Sequence, residues 1–130
     1  MSIDAALFSH VTADAGVAAA IGTRFYPVRA PQNATYPLAL YHRVSGNRTD
    51  SLSGDSGLAD PRFQISAMAA TYAAAASARE ALRQALSGYQ GLMGAFVVTA
   101  SVAVNEIDLF YDDVGLHQCS FDVFLTHQEN

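Results

Sequence analysis

Lysine is absent from this chain: its seven basic residues are all arginines, scattered without a stripe, against twelve acidic residues and a formal charge of −5. That balance excludes a protein that grips a nucleic-acid backbone, because such affinity comes from clustered Lys and Arg displacing counterions. Cysteine is reduced to Cys119, which excludes an internal disulfide and a Cys-based metal site. No apolar run approaches the roughly 20 residues that cross a bilayer as a helix, so no membrane partner is expected. The opening Met-Ser-Ile-Asp-Ala-Ala-Leu lacks the basic and apolar regions of a signal peptide, which points to the cytoplasm of the cell that makes the protein. The Asn-x-Thr triplets at Asn33 and Asn47 are then coincidental.

Catalytic and metal-binding patterns are equally scarce. The four histidines at 10, 42, 117 and 127 show no His-x-x-x-His spacing, and His42 and His117 fall in phase with apolar neighbours, as satisfied histidines at a core edge would. Asp108, Asp112 and Asp113 lack the alternating order that wraps calcium. Gly54-Asp-Ser-Gly57 repeats the residues around the nucleophile of chymotrypsin-like proteases. Those enzymes need a longer double barrel to place the rest of a triad, and here Ser and Gly surround the motif as in any polar loop. No cofactor, metal or catalytic residue is therefore expected. The competing small-hydrolase or ligand-binding reading rests on the 45–60 loop, Ser56 and His42.

What is present reads as one α+β domain over residues 1–130. Ser2 is a candidate cap for a helix with Ile3, Leu7 and Val11 on one stripe, and Thr12 with Asp14 offers a second start. Val17, Ala20 and Ile21 continue the spacing to Gly22, so 3–21 is one bent helix or two short ones. Arg24–Tyr26 suits a short strand, and the prolines at 27, 31 and 37 then force an extended path over the surface. Leu38, Leu40, His42 and Val44 alternate with Ala39, Tyr41, Arg43 and Ser45, and Phe63, Ile65 and Ala67 alternate with Arg62, Gln64, Ser66 and Met68. Between the two runs lies a polar tip from Ser45 to Asp60. Thr71 caps a helix over 72–86. The last third holds Phe96, Val98, Ala100, Val102 and Val104 on one strand face, then Cys119, Phe121, Val123 and Leu125, joined by a second tip at 108–115. The expected architecture is an antiparallel sheet of about four main strands, two helical segments packed on one face, and long hairpin tips.

Placing the helices on one face turns Tyr41, Met68 and Phe124 outward, and exposed apolar patches mark contact surfaces. Arg43 beside Tyr41, and Arg48, Asp112 and Asp113 at the tips, complete the candidate subunit and partner contacts.

With these elements in order, the chain resembles the tail-completion or tail-terminator family of long-tailed bacteriophages and gene transfer agents. The resemblance is carried by Leu7-Phe-x-x-Val-x-Ala-Asp-Ala with Ile21-Gly, Arg24-Phe-Tyr-Pro27 with Ala30-Pro31, and Tyr36-Pro37 leading to Leu40-Tyr41. Phe63-Gln-Ile65 through Ala70-Thr-Tyr72, and Asp113-x-Gly115 before Phe121-Asp-Val-Phe124, complete it. The resemblance implies a non-enzymatic virion protein of the head-proximal tail end, assembled in a bacterial host. It implies a ring, typically of six copies, that stops growth of the tail tube and joins the head connector. Its implied partners are further copies of itself, the major tail tube protein and the connector protein. DNA passes the lumen unheld, to which an acidic balance is suited. Small α+β ring-formers on the head side, such as stopper proteins, and other minor tail proteins share the outline.

Overall fold

The computed structural model describes residues 3–51, 54–94 and 96–128. The N-terminal stretch folds as two helices, α1 (Ile3–Thr12) and α2 (Ala15–Ile21). They part where Asp14 leaves helical geometry and its side chain accepts a hydrogen bond from the Val17 N–H at 3.0 Å, satisfying one of the donors a helix start leaves free. Gly22 ends α2 at φ 62°, a conformation that costs glycine nothing. The expected Ser2 cap lies outside the described residues. Helix α3 (Tyr72–Leu86) starts at Thr71, whose hydroxyl accepts from the Ala74 N–H.

The strands are β1 (Phe25–Pro27), β2 (Leu38–Ser51), β3 (Gly54–Ala69), β4 (Gly91–Met93), β5 (Phe96–Tyr111) and β6 (Leu116–Gln128). They form one six-stranded sheet in the order β1-β2-β3-β6-β5-β4. This corrects the expected sheet of about four antiparallel strands: three-residue strands flank the long ones at both edges, and β1 runs parallel to β2. The short strand expected at Arg24–Tyr26 is β1, whereas the three residues of β4 carry too little pattern to stand out as a strand in the sequence. The 28–37 connection runs over the surface as expected, and the Arg24 Nε–H donates to the Pro37 carbonyl at 2.8 Å.

The α1, α2 and α3 stripes share one core with Ala39, Tyr41, Phe63, Ile65, Ala67, Phe121, Val123 and Leu125. The small Ala75 and Ala78 let α3 lie close to β3 and β6. Phe25 anchors the β1 edge, stacked on Tyr41 with ring centres 4.4 Å apart. Tyr41 is therefore a core residue, 6% exposed, and its expected outward placement is corrected. Ladder register is the reason: Tyr41 stands opposite Ile65, which puts Leu38, Leu40 and His42 on the other face with Met68, Ser66 and Gln64.

Two further expectations change. The tip assigned to Ser45–Asp60 is mostly ladder, paired as far as Ser51 and Gly54, and the second tip shrinks to a turn after Tyr111, closed by Gly115 N–H to the Tyr111 carbonyl at 2.8 Å. Strand β5 does not keep one apolar face. Register breaks between Val98 and Ala100 and between Val104 and Ile107 are β-bulges, each of which exchanges the faces of the residues beyond it. Asn105 sits in the second at φ 57°, the left-handed region that Asn tolerates better than most side chains.

The edge strands cover little. β1 pairs with β2 only along Phe25–Pro27 against Ala39–Tyr41, and β4 pairs with β5 only along Gly91–Met93 against Phe96–Val98. Among the described residues, β2 from His42 and β5 from residue 99 onward have no ladder partner on their outer side.

Candidate interaction surface

The helix-free face of the sheet follows from the ladder rows. Arg62 stands beside Phe124, Gln64 beside Asp122, Ser66 beside Ser120 and Met68 beside Gln118, with Val102, Val104, Ile107 and Leu109 continuing these rows onto β5. Its centre is polar and knitted together. Arg62 forms an ion pair with Asp122, which is 7% exposed, and its guanidinium lies 5.7 Å from the Phe124 ring centre. Asn105 donates to the same carboxylate at 3.4 Å. A charge this buried is tolerable because both partners and a third donor meet there.

The rim on β5 is apolar and open. Val102, Ile107, Leu109, Phe110, Tyr111 and Val114 are all exposed, from 39% at Tyr111 to 61% at Val114. Val102, Ile107, Leu109 and Tyr111 gather on the helix-free face as a patch, unlike a scattered exposed leucine, while Phe110 turns to the helix side against the His117 ring. Sequence reading missed the patch, although Leu109-Phe-Tyr111 next to a turn was the available signal, because residues 108–115 were assigned to a hairpin tip.

Beyond the Asn105 bulge, Asp108 turns to the helix side, opposite Cys119. The Tyr72 hydroxyl donates to its carboxylate at 2.9 Å and Arg79 forms an ion pair with it. This hub fastens the start of α3 to the β5–β6 arm. The Tyr72 hydrogen bond holds the Asp108 carboxyl below the usual carboxylate range, helped by the Arg79 charge against an opposing effect of burial. Burial first, and Asp108 second, push the Cys119 thiol up. Cys119 is fully buried against Ala69 and Ala75, the small apolar role its alternation indicated.

The predicted contacts do not converge on one place. Arg43 is exposed but engaged within the chain, donating to Asp4 at 3.0 Å with its guanidinium 5.4 Å from the Phe63 ring centre. Met68 and Phe124 are half-buried on the helix-free face, in ladder rows six residues apart. Asp112 and Asp113 are exposed in the β5–β6 turn. The side chains of Arg48 and of the Gly54-Asp-Ser-Gly57 motif lie outside the described residues. His42 is half-buried in the row of Gln64. Where β1 ends, a groove of about 510 Å³ opens between Asp4, Val28, Tyr41 and Arg43. Val28 there is 69% exposed at φ 67°, an unusual backbone for a β-branched residue. Among the described residues no cluster of His, Cys, Asp and Glu is arranged to hold a metal ion, and no helix is long and apolar enough to cross a membrane.

The sequence matches the family described as Tail completion protein gp17 over residues 5–126. The fold is similar to that of a chain from the virion of a native gene transfer agent (GTA) particle, with a TM-score of 0.75 at 21% identity, covering 98% of this chain and 95% of that one. Among curated proteins none matches this sequence.

Proposed function

We propose that this chain, which belongs to the tail completion protein gp17 family of structural virion tail proteins, forms a ring that caps the head-proximal end of a tail tube. The ring, of six copies as a working number, ends tube polymerisation and presents the joint to the head connector. The chain acts in it as one domain, with no catalytic step. The observation that carries this reading is the apolar rim of β5, left open beside a polar, internally satisfied sheet face. A lone chain gains nothing from exposing Ile107, Leu109 and Tyr111 together, whereas an assembled one buries them against its neighbours. Met68 and Phe124 belong to the same face, and Arg43, Arg48, Asp112 and Asp113 serve as polar contacts to the tube, the connector or the next copy. The net charge of −5 suits a passage through which DNA slides without sticking.

Electron microscopy of particles made after disruption of the encoding gene tests the proposal. Overlong tails detached from filled heads are the expected result. Free tails of normal length would move the protein to the head side of the joint, and unchanged particles would remove the reading.

A further inference from the structure

Two long strand edges without a ladder partner lie at opposite ends of one sheet: His42–Ser51 on β2 and the 99–111 run on β5, which the Gly88 N–H meets at the Ser101 carbonyl at 2.8 Å. Long unpaired edges present rows of free N–H and C=O groups and pair with whatever strand reaches them unless something blocks them. Neither edge carries a proline, a common blocking device, although bulges interrupt both, and β5 adds exposed Ile107, Leu109 and Tyr111. We infer that β5 of one copy pairs antiparallel with β2 of the next, so that the sheet runs on from copy to copy. The inference rests on the ring reading above and assigns its interface.

Strand direction supports this arrangement. β2, β3, β6 and β5 are joined by three successive antiparallel ladders, so β5 runs opposite to β2 within one chain. A second copy related by rotation about a common axis therefore brings its β2 antiparallel to the first copy's β5. Joining two different edges is a head-to-tail contact, the kind that closes into rings, whereas pairing β5 with another β5 makes only a two-fold dimer.

Stagger supports it as well. Asn47 lies level with Asp60, Thr126 bonds Asp60 at 2.8 Å, and Thr126 stands opposite Ala100, so the middle of the free β2 edge is level with Ala100. The middle of the free β5 edge is near Asn105, about five residues or roughly 17 Å further along the strand. Four strands about 4.8 Å apart span roughly 19 Å. Full overlap of the two edges therefore tilts the strands by about 40° to the ring axis, within the range closed sheets adopt.

Charge points the same way. The only charged residues of β5 are Glu106 and Asp108, while β2 carries Arg43 and Arg48 against Asp50. Overlap middle to middle sets positions 106 and 108 opposite 46 and 44, between the two arginines. Arg43 and Asp108 already have partners within the chain, so this complementarity biases approach and register more than it adds contacts.

In that overlap position 45 faces position 107, and both belong to helix-free rows. Ser45→Cys and Ile107→Cys are made as separate full-length chains, mixed and oxidised. The buried Cys119 stays in both, and the unmodified chain is the control. The mixture is expected to give about tenfold more covalent dimer than either variant alone, because pairing raises the local thiol concentration. Gly46→Cys with Glu106→Cys, the next opposed positions in that overlap, repeats the test if either first variant fails to fold. Equal dimer from Ile107→Cys alone would show a two-fold contact and overturn the inference. Ring-sized particles by native mass measurement without mixed cross-linking would also overturn it and leave the ring standing. Neither rings nor cross-links, in solution or on tails, would remove both.

Discussion

The two faces of the sheet are built from the same strands and obey opposite rules. On the helix side, Phe63, Ile65, Phe121, Val123 and Leu125 are each at most 1% exposed, and their fit against α1, α2 and α3 supplies most of the burial that holds the chain folded. On the other side, the same β3 and β6 present Arg62, Gln64, Gln118 and Asp122, with apolar residues limited to Met68, Phe124, Leu38 and Leu40 of β2 and the β5 rim. The difference teaches that the fold is complete without the second face. Its apolar residues are then free to serve contacts between molecules, because removing them leaves no hole in the core.

The sharpest way to break this comparison is a pair of substitutions three residues apart on β6. Phe121→Ala should cost about 3–5 kcal/mol of stability through transfer and cavity terms, read as a lowered urea midpoint. Phe124→Ala should cost only about 1 kcal/mol, mainly its contact with the Arg62 guanidinium, while weakening self-association on sedimentation. Equal costs would mean that the helix-free face is core as well. Asp122→Ala is next in size, at about 1.5–3 kcal/mol by thermal melting, because it strips Arg62 of its charged partner and Asn105 of its acceptor. The smallest effect is expected on acidification. The folded Asp108 carboxyl lies below its unfolded value, so its contribution is fully present above the ordinary carboxylate pKa and is lost as pH falls through the folded one. Amide exchange in the β5–β6 arm should accelerate across that window, and Asp108→Asn should abolish the acceleration.

Much of the local structure was legible in the sequence. Asp14, Gly22 and Thr71 mark helix ends by chemistry that acts within three or four residues, and α3 occupies the stretch its cap and spacing indicated. The candidate interface was far less legible. Tyr41 was assigned to the wrong face because alternation states only that neighbours point opposite ways; which set points inward depends on the strand across the ladder. The β5 rim escaped notice because the bulge at Asn105 interrupts its period, and Val104 and Ile107 share a face only once that extra residue is accommodated.

The sequence by itself therefore determined the class of elements, their caps, the buried Cys119, the want of a basic surface and membership in a tail protein family, since all of these depend on residue type or short-range order. Tertiary structure decided the parallel pairing of β1, the inward turn of Tyr41, the exchange of faces along β5 and the two edges without a ladder partner. Those features arise from pairing between segments remote in the chain, where register and bulges select one arrangement among several that the same alternating pattern permits.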